Sequence, residues 1–260
     1  MTTRYAVANQ KGGVAKTTNT INIGGALAHR GHDILLVDAD PQGHLSRTLG
    51  FMDEYNGQEP NLADAIKEPG DYHIDDLIVN HPELDVVPSN LDMFSVQQDL
   101  IAAGWKPRER LSMFFEDLTD TPYDYVLIDA PPSLGVINDN VLLATQKLVV
   151  PVEPMESSIH ALDILLNQIE TLEDRYDTHI DIAAIVLSNV NYPLDNDQQE
   201  NIDYFEDTFA EWCPVHEIRN RAAVKRSLGN HSTVFGADAE ETDMADNYLT
   251  IAETLEVANE

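Results

Sequence analysis

The chain has 260 residues, 43% of them apolar, which is enough to bury a sizeable core and excludes a disordered polypeptide. Forty-six acidic residues against 15 cations, only six of them lysine, give a formal charge of −31; this opposes non-specific attraction to polyanions at low salt but leaves room for a local basic patch. No run approaches the roughly 18 apolar residues of a membrane span, and a lone cysteine, Cys213, excludes a disulfide framework and a cysteine-built metal knuckle.

Short β-branched runs at Tyr5–Asn9, Ile34–Asp38, Asp85–Pro88, Tyr125–Asp129, Leu148–Val152, Ile182–Val190 and Val215–Ile218 read as strands. Most are apolar without alternation, the pattern of strands covered on both faces. Between them, helical spacing falls at Lys16–Arg30, Val96–Leu118, Asn138–Thr145, Ser157–Tyr176, Asp197–Trp212 and Ala239–Val257. The alternation predicts an α/β fold, a three-layer, doubly wound and mostly parallel sheet, as one domain over 1–260. Asp53–Asp76, with Gly57, Pro60, Pro69 and Gly70, is the least regular stretch and is expected to be a surface excursion. The first residues enter a strand directly, so no signal peptide is expected, and a cytoplasmic location follows from that and from the single cysteine. Because the acids are spread along the chain, a surface adapted to molar salt is the favoured reading, an ordinary acidic protein the other.

The first strand runs into Gln10–Ala15, and Lys16 opens a helix with Thr17 and Thr18 in its first turn. Strand, glycine-bearing loop and helix in that order are the context of a phosphate loop. Backbone N–H groups along Gly12, Gly13, Val14 and Ala15 approach phosphate oxygens, and the helix N-terminus adds partial positive charge. Lys16 neutralises the β- and γ-phosphates, and the Thr17 hydroxyl ligates Mg²⁺. ATP and Mg²⁺ are the expected cofactors. Ala15 stands just before the lysine, where this loop normally carries glycine; a left-handed backbone there costs about 1–2 kcal/mol with a Cβ present.

With KGGVAKTT at Lys11–Thr18, ILLVDADPQGHLS at Ile34–Ser46, YDYVLIDAPPSLG at Tyr123–Gly135 and, more loosely, VVPVEPMESSIHAL at Val149–Leu162, the chain resembles the ParA/Soj and MinD family of deviant-Walker ATPases over nearly its full length. The resemblance implies that Lys11 is the signature lysine, reaching across a two-fold axis to phosphates bound by a second subunit. It implies an ATP-dependent homodimer, Asp40 as the switch I aspartate that orients the attacking water, and Asp38 supporting the Mg²⁺ shell. Asp129 corresponds to the strand-end carboxylate that holds Mg²⁺ through water, followed by Pro131, Pro132 and Gly135 as switch II. Asn189 matches the position of an adenine-contacting amide; a turn-forming asparagine is the other reading.

Arg219, Arg221, Lys225 and Arg226 place four cations within eight residues. The resemblance to ParA-type members makes this stretch a candidate for sequence-independent DNA binding; pairing with neighbouring acids is the alternative. Met244, Tyr248, Ile251 and Leu255 lie at helical spacing, but eight acids and no cation follow Arg226, so this helix is expected on the core and not on an anionic membrane. The histidines, including His29 and His32, show no metal-ligand spacing, and one cysteine excludes the iron–sulfur reductase relatives. The leading expectation is a ParA-like ATPase that dimerises on ATP, binds DNA and is stimulated by a ParB-like partner during plasmid or chromosome partitioning. A MinD-like or other cargo-positioning ATPase, a biosynthetic ligase of the same fold, and a nucleotide-binding regulator with negligible hydrolysis remain alternatives.

Overall fold

The structure, a computed structural model, describes residues 2–58, 60–116 and 122–259. Eight strands form one sheet: β1 (Thr3–Val7), β2 (Ile34–Asp38), β3 (Val79–Asn80), β4 (Asp85–Val87), β5 (Tyr125–Asp129), β6 (Lys147–Val152), β7 (Asp181–Val190) and β8 (Val215–Arg219). Their order is β3-β4-β2-β5-β1-β6-β7-β8, parallel except where β3 pairs antiparallel with β4 at the edge. Every residue of β2 and β5 is buried, which explains why those runs are apolar without alternation.

Two apolar cores lie on opposite faces of the sheet. On one face, α1 (Lys16–His29) packs against α11 (Asp243–Val257). Gly24 and Gly25 permit close packing of α1: a Cβ on Gly24 would stand 2.8 Å from Leu36, and one on Gly25 2.7 Å from Thr233. Met244, Tyr248, Ile251 and Leu255 are all buried in this core, as their spacing implies. On the other face lie α4 (Leu62–Lys67), α5 (Met93–Ala103), α6 (Arg110–Phe114), α7 (Val136–Thr145), α8 (Glu156–Tyr176) and α9 (Asn196–Phe209).

Several boundaries differ from the sequence reading. The single helix expected over Val96–Leu118 is two, because Gly104 adopts φ 68 and caps α5 in the left-handed region, with Pro107 soon after; Leu118 lies outside the described residues. The excursion at Asp53–Asp76 is not confined to the surface. It contains α3 (Met52–Tyr55) and α4, whose Leu62, Ala63, Ala65 and Ile66 are buried, and Asn61 and Asp64 form a reciprocal capping box that starts α4. The last helix begins at Asp243 and not Ala239, because the Thr242 side chain caps it by accepting from Met244 N–H. Besides α3 and α4, two more of the described helices have no counterpart in the expected set: α2 (His44–Thr48) and α10 (Ala222–Gly229). Among the described residues, no helix is long and apolar enough to cross a membrane.

Ala15 is the N-cap of α1 and adopts φ 65, ψ 28. The left-handed backbone that glycine normally supplies is thus held by an alanine, at a cost of about 1–2 kcal/mol, partly offset by the smaller chain entropy that alanine loses on folding. Ala15→Gly is expected to raise the thermal midpoint by about 2–4 °C per kcal/mol relieved and to tighten ATP binding by up to about tenfold. Unchanged or weaker binding by calorimetry, with no gain in midpoint, contradicts this assignment of strain.

Candidate phosphate and metal site

The phosphate loop leaves the sheet between β5 and β6, at the carboxyl ends of the strands, where ligands bind in open α/β sheets. Strand β1 ends at Val7, two residues before the expected end, because Asn9 turns out of the ladder: its Nδ2 donates to Pro151 O at 2.7 Å and its Oδ1 accepts Lys11 N–H at 3.0 Å. The loop is thereby tied to β6 at its first bend. Gly13 adopts φ 83, and a Cβ at Gly12 or Gly13 would meet nothing within 4 Å, so the loop presents open backbone. Lys16 is 8% exposed; its Nζ donates to Lys11 O at 3.3 Å, arching back over the loop it follows. The Thr17 hydroxyl donates to Asp129 Oδ2 at 2.6 Å, and Thr20 Oγ1 lies 3.4 Å from Asp129 Oδ1. The Thr18 carbonyl accepts Asn22 Nδ2 at 2.8 Å within α1.

Three carboxylates gather beside Lys16. Parallel pairing sets Asp38 directly opposite Asp129 at the ends of β2 and β5. Asp38 is fully buried and accepts three hydrogen bonds from its own loop and α2: Asp40 N–H at 3.2 Å, Ser46 N–H at 2.8 Å and Ser46 Oγ at 2.6 Å. Its side chain therefore braces the turn between β2 and α2. Asp40 is 6% exposed and accepts Gln42 N–H at 2.9 Å. Burial pushes the carboxyls of both Asp38 and Asp129 well above the usual range; Asp38 raises Asp129 further, and Asp40 raises both. Burial likewise lowers the Lys16 ammonium, opposed by attraction to Asp129 and Asp40.

This donor set fits a magnesium–triphosphate complex. A hydroxyl and a buried carboxylate in contact, close to further acids and an open N–H cradle, suit a cation that takes most of its remaining ligands from phosphate and water. Among the described residues no three His, Cys, Asp or Glu side chains are grouped so as to hold a metal ion by themselves.

The other expected site residues lie at different places. Lys11 Nζ is folded onto its own subunit, 3.5 Å from Glu153 Oε2 and 3.0 and 3.3 Å from the hydroxyls of Ser157 and Ser158. Asn189 adopts φ 58 and its Nδ2 donates to Gly13 O at 3.2 Å and Glu153 Oε1 at 2.7 Å, so the amide is engaged by the loop itself. The basic cluster is largely neutralised: Arg219 faces Glu217 at 2.8 Å, Arg221 faces Asp243 at 2.8 Å, and Arg226 pairs with Glu240. Sequence reasoning passed over Glu153 and Ser46. The first had a signal, since it follows strand β6 as Asp38 and Asp129 end theirs; the second acts through tertiary contact alone.

The raised carboxyls fix a stability prediction. A folded-state pKa above the unfolded value means that this pair favours folding most in acid. That contribution is lost as pH climbs from the unfolded value near 4 through the raised folded value. Asp129→Asn removes the penalty, so at pH 8 without nucleotide its thermal midpoint is expected above wild type, the gap closing toward pH 4. A midpoint at or below wild type at pH 8 refutes the charge crowding.

Comparison with known proteins agrees with this geometry. An AAA domain family matches residues 2–182. An uncharacterized protein of Mycobacterium tuberculosis is 37% identical over 185 residues, 70% of this chain and 57% of that protein, so the match spans little more than half of that relative. The chromosome partitioning protein ParA of Caulobacter vibrioides is 34% identical over 195 residues, 70% of this chain and 68% of that one. Cobyrinic acid a,c-diamide synthase from Mycobacterium smegmatis, solved with a bound ATP analog and magnesium, superposes with a TM-score of 0.81 at 27% identity, covering 98% of this chain and 94% of that one. Loop, strand-end carboxylates and sheet order, taken with these matches, make the chain a member of the ParA/Soj–MinD family of deviant-Walker P-loop ATPases.

Proposed function

We propose that the chain is a Mg²⁺-dependent ATPase of the ParA kind, which pairs with a second copy on binding ATP and uses slow hydrolysis to time the release of its cargo. The observation that carries this reading is the 2.6 Å contact between Thr17 Oγ1 and Asp129 Oδ2. It sets the helix-start hydroxyl against the strand-end carboxylate, the two protein groups a phosphate-bound magnesium needs. Thr17 and Asp129 would hold Mg²⁺ at this position, where the cation would supply positive charge against the terminal phosphoryl group. Lys16 holds the phosphate oxygens from the loop side, and the N–H groups of Gly12 to Thr18 fix their position. Asp40, on the loop braced by Asp38, orients the attacking water. Asp129 keeps the Thr17 hydroxyl aimed at the metal position. Lys11 reaches the phosphates of the paired subunit, and Asn189 borders the base.

The C. vibrioides match supports a partitioning role, with a ParB-like partner as the stimulating protein and DNA as the track. The ion-paired state of Arg219, Arg221 and Arg226 argues that DNA contact is weak until those pairs open; Lys225 is the cluster's cation without a carboxylate within ion-pair distance among the described residues. The likeness to the M. smegmatis synthase favours a second reading, an ATP-dependent ligase. Phosphate release from ATP with no carboxylate or amine co-substrate separates the two. The spread acidic surface suits a saline interior.

Two measurements test the proposal. Lys16→Ala is expected to abolish ATP-dependent pairing in sedimentation and phosphate release together; a variant that retains either removes the loop from the mechanism. Asp243→Asn combined with Glu240→Gln frees Arg221 and Arg226, so ATP-dependent DNA affinity is expected to rise several-fold at low salt with a steeper salt slope. Equal affinity and slope exclude this cluster as the contact surface.

A further inference from the structure

We infer that Glu153 is a positioning residue that parks Lys11 on its own chain and couples its release to the phosphate loop. The inference rests on the proposed role of Lys11 in pairing two subunits and names the contact that opposes it. Glu153 follows β6, the strand beside β1, so its carboxylate stands at the same end of the sheet as the loop. One oxygen, Oε1, accepts Asn189 Nδ2 at 2.7 Å; the other, Oε2, faces Lys11 Nζ at 3.5 Å. Both side chains of the ion pair are about one-fifth exposed, at 22% and 20%, so the pair is only partly screened by solvent. Met155 Sδ at 2.7 Å and the hydroxyls of Ser157 and Ser158 at 3.0 and 3.3 Å complete the seat around the ammonium.

The second arm explains why Glu153 does more than hold one lysine. Asn189 sits with φ 58 where the pairing of β7 with β8 shifts register, a left-handed backbone state that asparagine tolerates better than most residues with a Cβ. Its Nδ2 group is shared between Glu153 and the carbonyl of Gly13. Moving Lys11 toward a partner's phosphates breaks its ion pair, leaves Glu153 an uncompensated, mostly buried charge, and perturbs the amide that holds the loop. Seating of nucleotide on the loop and release of the lysine are thereby one event. The seat sets a threshold against pairing without ATP.

The experiment compares Glu153→Gln, Glu153→Ala and Lys11→Ala with the full-length wild type, measuring Mg-ATP-dependent self-association by sedimentation and steady-state hydrolysis. Glu153→Gln keeps an acceptor for Asn189 and loses the charge. It is expected to pair at about three- to tenfold lower protein concentration, and to raise kcat at limiting protein while the apparent KM for ATP falls, because pairing and nucleotide binding are linked. Glu153→Ala loses both arms, so its KM lies above that of Glu153→Gln. Pairing of Glu153→Gln at wild-type or higher concentration overturns the inference, whatever Glu153→Ala does. Lys11→Ala separates this from the underlying reading: if it still pairs with ATP as wild type does, Lys11 has no role across the axis and the proposed function is what fails.

Discussion

The rest of the site depends on charge crowding at the ends of two neighbouring strands. Parallel register puts Asp38 and Asp129 side by side, Asp40 follows on the adjoining turn, and all three are nearly or fully buried. In a sheet covered on both faces such an arrangement is unfavourable, since each carboxylate loses its hydration and repels the next. Local compensation is incomplete. Ser46 and the Asp40 amide satisfy Asp38, Thr17 satisfies one oxygen of Asp129, and Lys16 supplies a single positive charge that burial itself weakens. A divalent cation held between these groups would offset the imbalance.

The second organising feature is how the loop is held. Three neighbours tether it: Asn9 to Pro151 on β6, Gln10 to Gln168 on α8, and Gly13 to Asn189 on β7. Gln168 in turn donates to Asp139 on α7, which also accepts Arg108 at 2.6 Å. The loop is thus fixed from the α8 side as well as by the sheet, and the segment that links β5 to α7 lies between the Asp129 carboxylate and this chain of polar contacts. Loss of the terminal phosphate at the loop has physical contacts through which to be felt by α7 and α8.

The acidic surface has a different consequence. Cations are scarce, and most that cluster are already engaged: Arg30 with Glu253 and Glu256 at 2.8 Å, Arg219 and Arg221 with Glu217 and Asp243, Arg226 with Glu240. Such exposed pairs contribute little to stability. Their larger effect is to mask positive charge, so any polyanion must compete with carboxylates that are covalently part of the same chain.

Much of this was legible in the sequence because the signals are local. Buried parallel strands read as unbroken apolar runs, and Lys16, Thr17 and the strand-end Asp129 sit at fixed offsets from those runs. The left-handed state of Ala15 was implied by its place before the lysine, and the C-terminal apolar stripe by its 3.6-residue spacing. What tertiary structure alone decided is where side chains with several possible partners ended up. Leu62 and Ile66 are buried although their segment is rich in glycine and proline, because a capped turn of helix carries them inward. Asn189 bonds the loop, three arginines bond acids, and Lys11 rests on Glu153, 142 positions away in the chain. Local sequence specifies the backbone through propensity and periodicity; the pairing of long polar side chains is set by which groups the fold brings within 3–4 Å.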